Sequence, residues 1–337
     1  MTELSIILPV YNVEEYIRPC LKSILQQGLD ESRYEIIIVN DGSTDRSMEM
    51  IADIIEQHNN ITVINQENQS LSVSRNKGMF LSKGEYILMP DSDDILVENS
   101  LPHLLDKAIE TKADLVVADF LMIEDKDLPH FTGVVQKEFL VQEKTGQQLF
   151  LEDLNPRQCF VWRTLYRREF LFKNHISFIR GINYQDVPFT HKCYLKAQRC
   201  LKASWLLYIY RLNRPGAATT IFNVEKSRSY SIAMASTWNL RQVMGLSSAI
   251  LYKLEEDVYA SFCNMVYHTI HNLKKRKDRN KVIDILKYEA PHLNFKHGFR
   301  QKLTTFMLRN WPYLYIELYY IYGQIIFKKR ILPKILK

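Results

Sequence analysis

Glycine and proline are scarce, 11 of each in 337 residues, which excludes collagen-like and low-complexity chains. Cysteine is scarcer still. The five, at positions 20, 159, 193, 200 and 263, form no Cys-x-x-Cys pair, and their odd number argues against a disulfide framework. A protein of a reducing compartment is expected. The apolar run 4–10 is not expected to be a secretory leader, because it follows Glu3 with no basic n-region and no small-residue cleavage site. No stretch reaches the ~20 uninterrupted apolar residues of a spanning helix. The longest candidate, 310–327, carries Pro312 near its start and Glu317 in its middle. Neither GxGxxG nor the P-loop pattern GxxxxGK followed by Ser or Thr occurs, so the usual dinucleotide and P-loop readings fail.

What is present is ordinary in amount and uneven in placement. Apolar residues make up 46% and charged residues 24%, as in a soluble globular chain of about two domains. The net charge of +6 hides an acidic body and a basic tail. Residues 270–337 hold 16 Lys and Arg against four Asp and Glu, or +12, which leaves −6 for residues 1–269. Such a tail either meets something anionic, a membrane surface for example, or forms a solvated helical face. Nucleic acid is not an expected partner, because the basic excess sits in a hydrophobic tail rather than in a groove-reading motif.

Over the first ~120 residues short apolar runs alternate with helical patterns, the signature of a parallel α/β sheet. Strands are expected at 4–10, 35–39, 61–65, 86–89 and 115–120. Helical faces are expected at 16–25 (with Pro19 bending or shortening the start), 46–57, 70–81 and 101–108. Residues 131–141 read as a hairpin, and beyond Glu225 the pattern is helical. A boundary near 222 divides a domain 1–222 from a helical, basic region 223–337.

In a doubly wound sheet, ligands sit beyond the carboxyl ends of the strands. Three polar segments fall there: Pro9-Val10-Tyr11-Asn12, Asn40-Asp41-Gly42-Ser43-Thr44-Asp45 and Pro90-Asp91-Ser92-Asp93-Asp94. The last packs three carboxylates into four residues. Like charges this close raise one another's pKa unless a cation neutralises them, and a hard divalent ion does so with oxygen ligands. The alternative is a helix cap made by Asp93 or Asp94. Asp45 or Ser43 is suited to capping the helix at 46–57, which leaves Asp41 free to accept hydrogen bonds from a base N–H. Arg75, in the helix-like stretch before the fourth strand, either pairs with a carboxylate or phosphate or is a solvated surface residue. His268 and His271 lack a third ligand nearby, and His191 and Cys193 point to different helix faces.

SIILPVYNVEEYI, EIIIVNDGSTDRS and QENQSLSVSRNKGMFLSKGEYILMPDSDD occur in this order over residues 5–94. Together they resemble the nucleotide-sugar-binding half of family 2 glycosyltransferases of the bacterial surface-polysaccharide type. The resemblance implies a GT-A fold: a Rossmann-like, mainly parallel sheet with helices on both faces, here with a C-terminal helical extension. It implies that Pro9, Tyr11, Asp41 and Arg75 hold the nucleotide. It matches Asp91 and Asp93 to the family's DxD motif, the first near the ribose and the last binding Mn²⁺ or Mg²⁺ on the diphosphate. Ser70 stands where many relatives have Gly, which is tolerable with a negative φ.

WRTLYRREFL at 162–171 resembles a further family segment, with Arg163 in place of Asn. Gly181 to Phe189 resembles the stretch containing the catalytic base, which falls on Asp186, and Gln185 replaces the usual Glu. As a plain sequence feature Asp186 is also a helix N-cap ahead of Pro188. Tyr210-Arg211-Leu212-Asn213-Arg214 resembles a basic family loop suited to pyrophosphate. Ala217 stands where Ser is usual, so Thr219 or Thr220 is the candidate hydroxyl.

The implied activity is inverting, metal-dependent transfer from a nucleoside-diphosphate sugar, UDP-linked by expectation, to a saccharide or polyprenyl-linked acceptor. The alternatives are a sugar-phosphate nucleotidyltransferase and a catalytically silent nucleotide-sugar-binding protein. The C-terminal helix, with Trp311, Leu314, Leu318 and Tyr322 on one side and Lys328-Lys329-Arg330 after it, suits an anionic membrane surface. It equally suits a buried helix closing the core. The expected location is cytoplasmic, peripheral on the inner face of the cell membrane.

Overall fold

The computed structural model describes residues 2–335 apart from 132, 137, 156–157 and 217–221, and of 325–335 the backbone alone. The residues group into two compact bodies, Met1–Gly181 with Phe189–Ala217, and Ile182–Pro188 with Ala218–Lys337. The short segment Ile182–Pro188 thus groups with the helical region.

The first body is built on one sheet. Its strands are β1 (Leu4–Val10), β2 (Tyr34–Asn40), β3 (Ile61–Asn65), β4 (Tyr86–Leu88), β5 (Ile95–Leu96), β6 (Leu115–Glu124), β7 (Leu140–Lys144), β8 (Thr164–Arg167) and β9 (Cys200–Leu212). They run in the order β3-β2-β1-β4-β8-β6-β9-β5, with β7 also on β9. The ladders of β1 with β2, β2 with β3 and β6 with β9 are parallel, whereas β7 and β5 run antiparallel to β9. Strand β4 is parallel to β1, and β8 joins β4 to β6 in antiparallel fashion. Every residue of β1 is buried, which is why its apolar run does not alternate. Its polar member, Ser5, donates to Glu35 Oε1 at 2.6 Å and accepts the Gly84 N–H at 2.8 Å.

The helices of this body are α1 (Ile17–Leu25), α2 (Ala52–Gln57), α3 (Leu71–Leu81), α4 (Leu101–Thr111), α5 (Gly146–Glu152), α6 (Arg168–Lys173) and most of α7 (Asp186–Lys196). Helix α1 buries Ile17, Cys20, Leu21 and Ile24, the face its spacing predicts. Pro19 falls in its first turn, where an N–H has no intrahelical partner to lose. The parallel half of the sheet and α1, α3 and α4 were therefore legible as patterns.

Two segments depart from expectation. Residues 46–57 form a 3₁₀ turn (Glu49–Ile51) followed by α2 rather than one helix. Asp45 spends its carboxylate on the Ser47 N–H (3.0 Å), the Ser47 hydroxyl (2.6 Å) and the Glu14 N–H (3.0 Å), which ties this turn to the loop after β1. Residues 131–141 make no hairpin among the described residues. Leu140 and Val141 begin β7 and pair with β9, and Gln136 binds the Leu206 carbonyl (2.6 Å) and N–H (3.1 Å) through its amide.

The second body holds α8 (Val224–Asn239), α9 (Ser248–Asn272), α10 (Arg276–Glu289), α11 (Gly298–Asn310) and α12 (Pro312–Ile335). Their common core includes Met234, Trp238, Phe262, Met265, Ile283, Phe295, Tyr315 and Ile316. Glu317, the charge within the apolar run of α12, pairs with the buried Arg279 of α10 at 2.7 and 2.8 Å. Among the described residues no helix is long and apolar enough to cross a membrane. None of the five cysteines, all among the described residues, forms a disulfide.

Candidate active site

The loops after β1 and β2 are laced together by the motif residues themselves. The Thr44 N–H donates to Asn12 Oδ1 at 2.8 Å, the Val13 N–H to Ser47 Oγ at 2.8 Å, and the Arg46 N–H to Glu14 Oε2 at 2.9 Å. Pro9 is buried within β1, beyond the last rung that β1 shares with β4. Tyr11 is left 48% exposed at the strand end.

Asp41 is buried, and its carboxylate is engaged. Oδ1 accepts from Gln66 Nε2 (2.6 Å) and the Gln69 N–H (2.9 Å), and Oδ2 from the Ser70 N–H (3.0 Å). The carboxylate that the sequence leaves free to face a base holds the 66–70 loop in place. The negative φ on which the tolerance of Ser70 depends is not met: its φ is +95°, at the point where these bonds hold the loop as it enters α3. Gly42 has φ +76°, and a Cβ there would lie 2.9 Å from the Asn68 nitrogen, so this turn requires glycine.

Beyond β4, one carboxylate oxygen from each of Asp91, Asp93 and Asp94 lies within 4.8 Å of the others. Among the described residues no other group of three or more His, Cys, Asp and Glu is placed to share an ion. The three carboxylates do different work. Asp94 is buried and accepts from the Arg211 N–H (2.7 Å) and the Tyr208 hydroxyl (2.9 Å). Burial, with Asp93 and Asp91 alongside, pushes its carboxyl well above the usual range. Asp91 and Asp93 are partly exposed, and each meets an arginine. Arg75 of α3, buried and 5.4 Å from the Phe178 ring centroid, donates to Asp91 Oδ1 at 2.5 Å. Arg214 donates to Asp93 Oδ2.

Arg211 turns its side chain onto the Asp93 carbonyl (2.8 Å) and Asp125 (2.7 Å). Both Arg211 and Arg214 lie over the Tyr16 ring, at 4.9 and 5.2 Å from its centroid. Helix capping by Asp93 or Asp94 is not what the acids do. Helix α4 begins at Leu101, and Gln27 Oε1 accepts the Ser100 and Leu101 N–H groups at 3.1 Å each.

Sequence reasoning passed over Tyr208, Asp125 and Tyr16. Tyr208 also accepts the Asp91 N–H (3.0 Å) and stacks on Trp162 at 4.0 Å, so Trp162 of the WRTLYRR segment backs the tyrosine that braces the acids. Its one signal was its place two residues before Tyr210, hence on the same face of β9. Arg163, the departure in that segment, binds the Ala118 carbonyl at 2.8 Å and lies over the Phe120 ring.

The structure thus brings Arg75, Asp91, Asp93, Arg211 and Arg214 together at one corner of the first body. Asp186 heads α7 in the segment that groups with the helices. There Tyr184 takes φ +57° and packs on Tyr230 at 3.8 Å. Burial raises the Tyr184 hydroxyl pKa, and the Asp186 charge adds to the shift. Gln185 is buried, and its Oε1 has no hydrogen-bond partner among the described residues. Ala217, Thr219 and Thr220 lie outside the described residues.

The family model described as "Glycosyl transferase family 2" matches residues 5–171. Glycosyltransferase GlyG of Streptococcus pneumoniae is 32% identical over 241 residues, covering 68% of this chain and 77% of GlyG. The chain belongs to glycosyl transferase family 2. Among solved structures, S. aureus TarS 1–349 in complex with UDP-GlcNAc matches with a TM-score of 0.70 at 21% identity, covering 96% of this chain and 92% of that one. The mannosyltransferase PcManGT of Pyrobaculum calidifontis, in complex with GDP-Man and Mn²⁺, matches with a TM-score of 0.54 at 12% identity, covering 96% and 86%. Likenesses at this level establish the fold, a GT-A-type sheet followed by C-terminal helices. Family membership decides against the nucleotidyltransferase reading.

Proposed function

We propose that this family member is an inverting, metal-dependent enzyme acting in bacterial capsule, lipopolysaccharide or exopolysaccharide assembly. It moves a sugar from a nucleoside diphosphate to a hydroxyl of a saccharide or polyprenyl-linked acceptor at the cytoplasmic side of the membrane. The complex of TarS with UDP-GlcNAc favours UDP as the donor nucleotide. The observation that carries the reading is the meeting of three carboxylates and two arginine side chains beyond β4.

Asp93 and Asp91 would hold Mn²⁺ or Mg²⁺. The fit rests on the donor set: two partly exposed carboxylates backed by a third, all oxygen ligands suited to a hard cation. A divalent ion bound there supplies charge neutralisation for the departing diphosphate. Arg214 and Arg211 donate to the phosphate oxygens. Tyr11 offers its exposed ring to the base beside Pro9. Asp41 keeps the 66–70 loop in shape for the nucleotide, and Arg75 orients Asp91.

Asp186 acts as general base. The proton of the acceptor hydroxyl passes to its carboxylate as that oxygen bonds to the anomeric carbon. The bond from this carbon to the phosphate oxygen breaks, and its electron pair leaves with the nucleoside diphosphate. A single displacement inverts the anomeric centre. Asp186→Asn is expected to abolish transfer and leave donor affinity nearly unchanged, as read by product formation and nucleotide titration on the same preparation. Loss of donor affinity in that variant would make Asp186 a structural residue.

A further inference from the structure

Helices α11 and α12 fill the core of the second body with one side only. On α12 Tyr315 and Ile316 are buried, whereas Leu314 and Leu318 are exposed on the other side. Helix α11 repeats the arrangement. Phe299, Leu303 and Phe306, at i, i+4 and i+7, form an exposed apolar stripe, with Phe299 80% exposed. The two stripes join where the Phe306 and Trp311 rings meet edge to face at 5.4 Å. An exposed aromatic and aliphatic surface continuous over two helices marks an interaction site.

Charge selects what covers it. From Ala290 to Lys337 the sequence has one acid, Glu317, and its carboxylate is committed to Arg279. Lys302 and Arg309 flank the α11 stripe on one side and Arg300 on the other, all exposed. None of the three is in an ion pair among the described residues. A second copy of the chain seated face to face would set these cations against their equals, and the acid beside α12, Asp284, already accepts the Tyr313 hydroxyl at 2.6 Å. An anionic bilayer supplies what the face lacks: apolar depth for the stripe and negative headgroups for its fringe.

We infer that the α11–α12 face is a membrane-docking surface that lies in the interface of an anionic bilayer, apolar stripe inward and Arg300, Lys302 and Arg309 at the headgroups. The face belongs wholly to the second body, so the inference does not depend on the catalytic reading.

The test is co-sedimentation of the full chain with vesicles of mixed phosphatidylcholine and phosphatidylglycerol, against phosphatidylcholine alone. Binding is expected to the mixed vesicles and to weaken with salt. Lys302→Gln with Arg309→Gln should lower the affinity about thirtyfold, two charges at ~1 kcal/mol each. Phe306→Ser with Leu318→Ser should lower it at least as much, and with these side chains exposed, both variants should keep the wild-type melting temperature. No binding to mixed vesicles at low salt would overturn the inference. So would binding that neither variant weakens, or a dimer in solution that Phe306→Ser dissociates while vesicles remain unbound.

Discussion

At Ser70 a side chain occupies backbone that favours glycine. A φ of +95° costs a residue with a Cβ about 1–3 kcal/mol, and here the cost is offset by the grip of Asp41 on the 66–70 loop. Ser70→Gly should therefore raise stability by about 1 kcal/mol in urea unfolding, even though the 2.9 Å contact of its hydroxyl with Ser72 is lost. A lower midpoint would show that this hydroxyl contact matters more than the strain. The sequence marked Ser70 as unusual but could not show the sign of φ, which depends on a carboxylate 29 residues away. The acids tell a similar story. Their crowding was legible, but Arg75, Arg214, Tyr208 and the Arg211 N–H, which divide them into one buried brace and two partly exposed carboxylates, come from distant parts of the chain.

Among the elements, apolar spacing served well where one face alone decides the structure. β1 and β3 have the expected bounds, and α1 and α4 bury the expected residues. It failed at 46–57 and 131–141, where side-chain bonds from Asp45 and Gln136 govern the path. It was also silent on α11, whose stripe is short and interrupted by Arg300 and Lys302. On α12 it offered a membrane face or a core face, and the helix has both an exposed and a buried side. Glu317 explains how a charge sits there: Arg279 meets it, binds the Leu273 (3.0 Å) and Lys274 (2.7 Å) carbonyls, and lies over the Tyr320 ring. Removing one partner of a buried pair strands the other, so Glu317→Ala should cost about 3 kcal/mol in thermal unfolding. The pair Arg279→Met with Glu317→Leu should recover most of that loss. Unchanged melting in Glu317→Ala would mean that the ion pair does not hold α12 to α10.

At the scale of the molecule, the order of segments along the chain predicted a doubly wound sheet followed by helices, and the strand order β3-β2-β1-β4 supplies the expected carboxyl-end rim. What one sequence could not give was the grouping of Ile182–Pro188 with the helical body, because no change in composition marks either end of it. The central proposal is electrostatic: Asp91 and Asp93 would form a cation site that a nucleoside diphosphate completes. Calorimetric titration of UDP into the full chain, in Mn²⁺ and then in chelator, tests it most directly. The predicted result is binding at least about tenfold tighter with Mn²⁺, a difference of ~1.4 kcal/mol, and loss of that difference in Asp93→Asn. Equal affinity in both buffers, or no uptake of UDP in either, would contradict it.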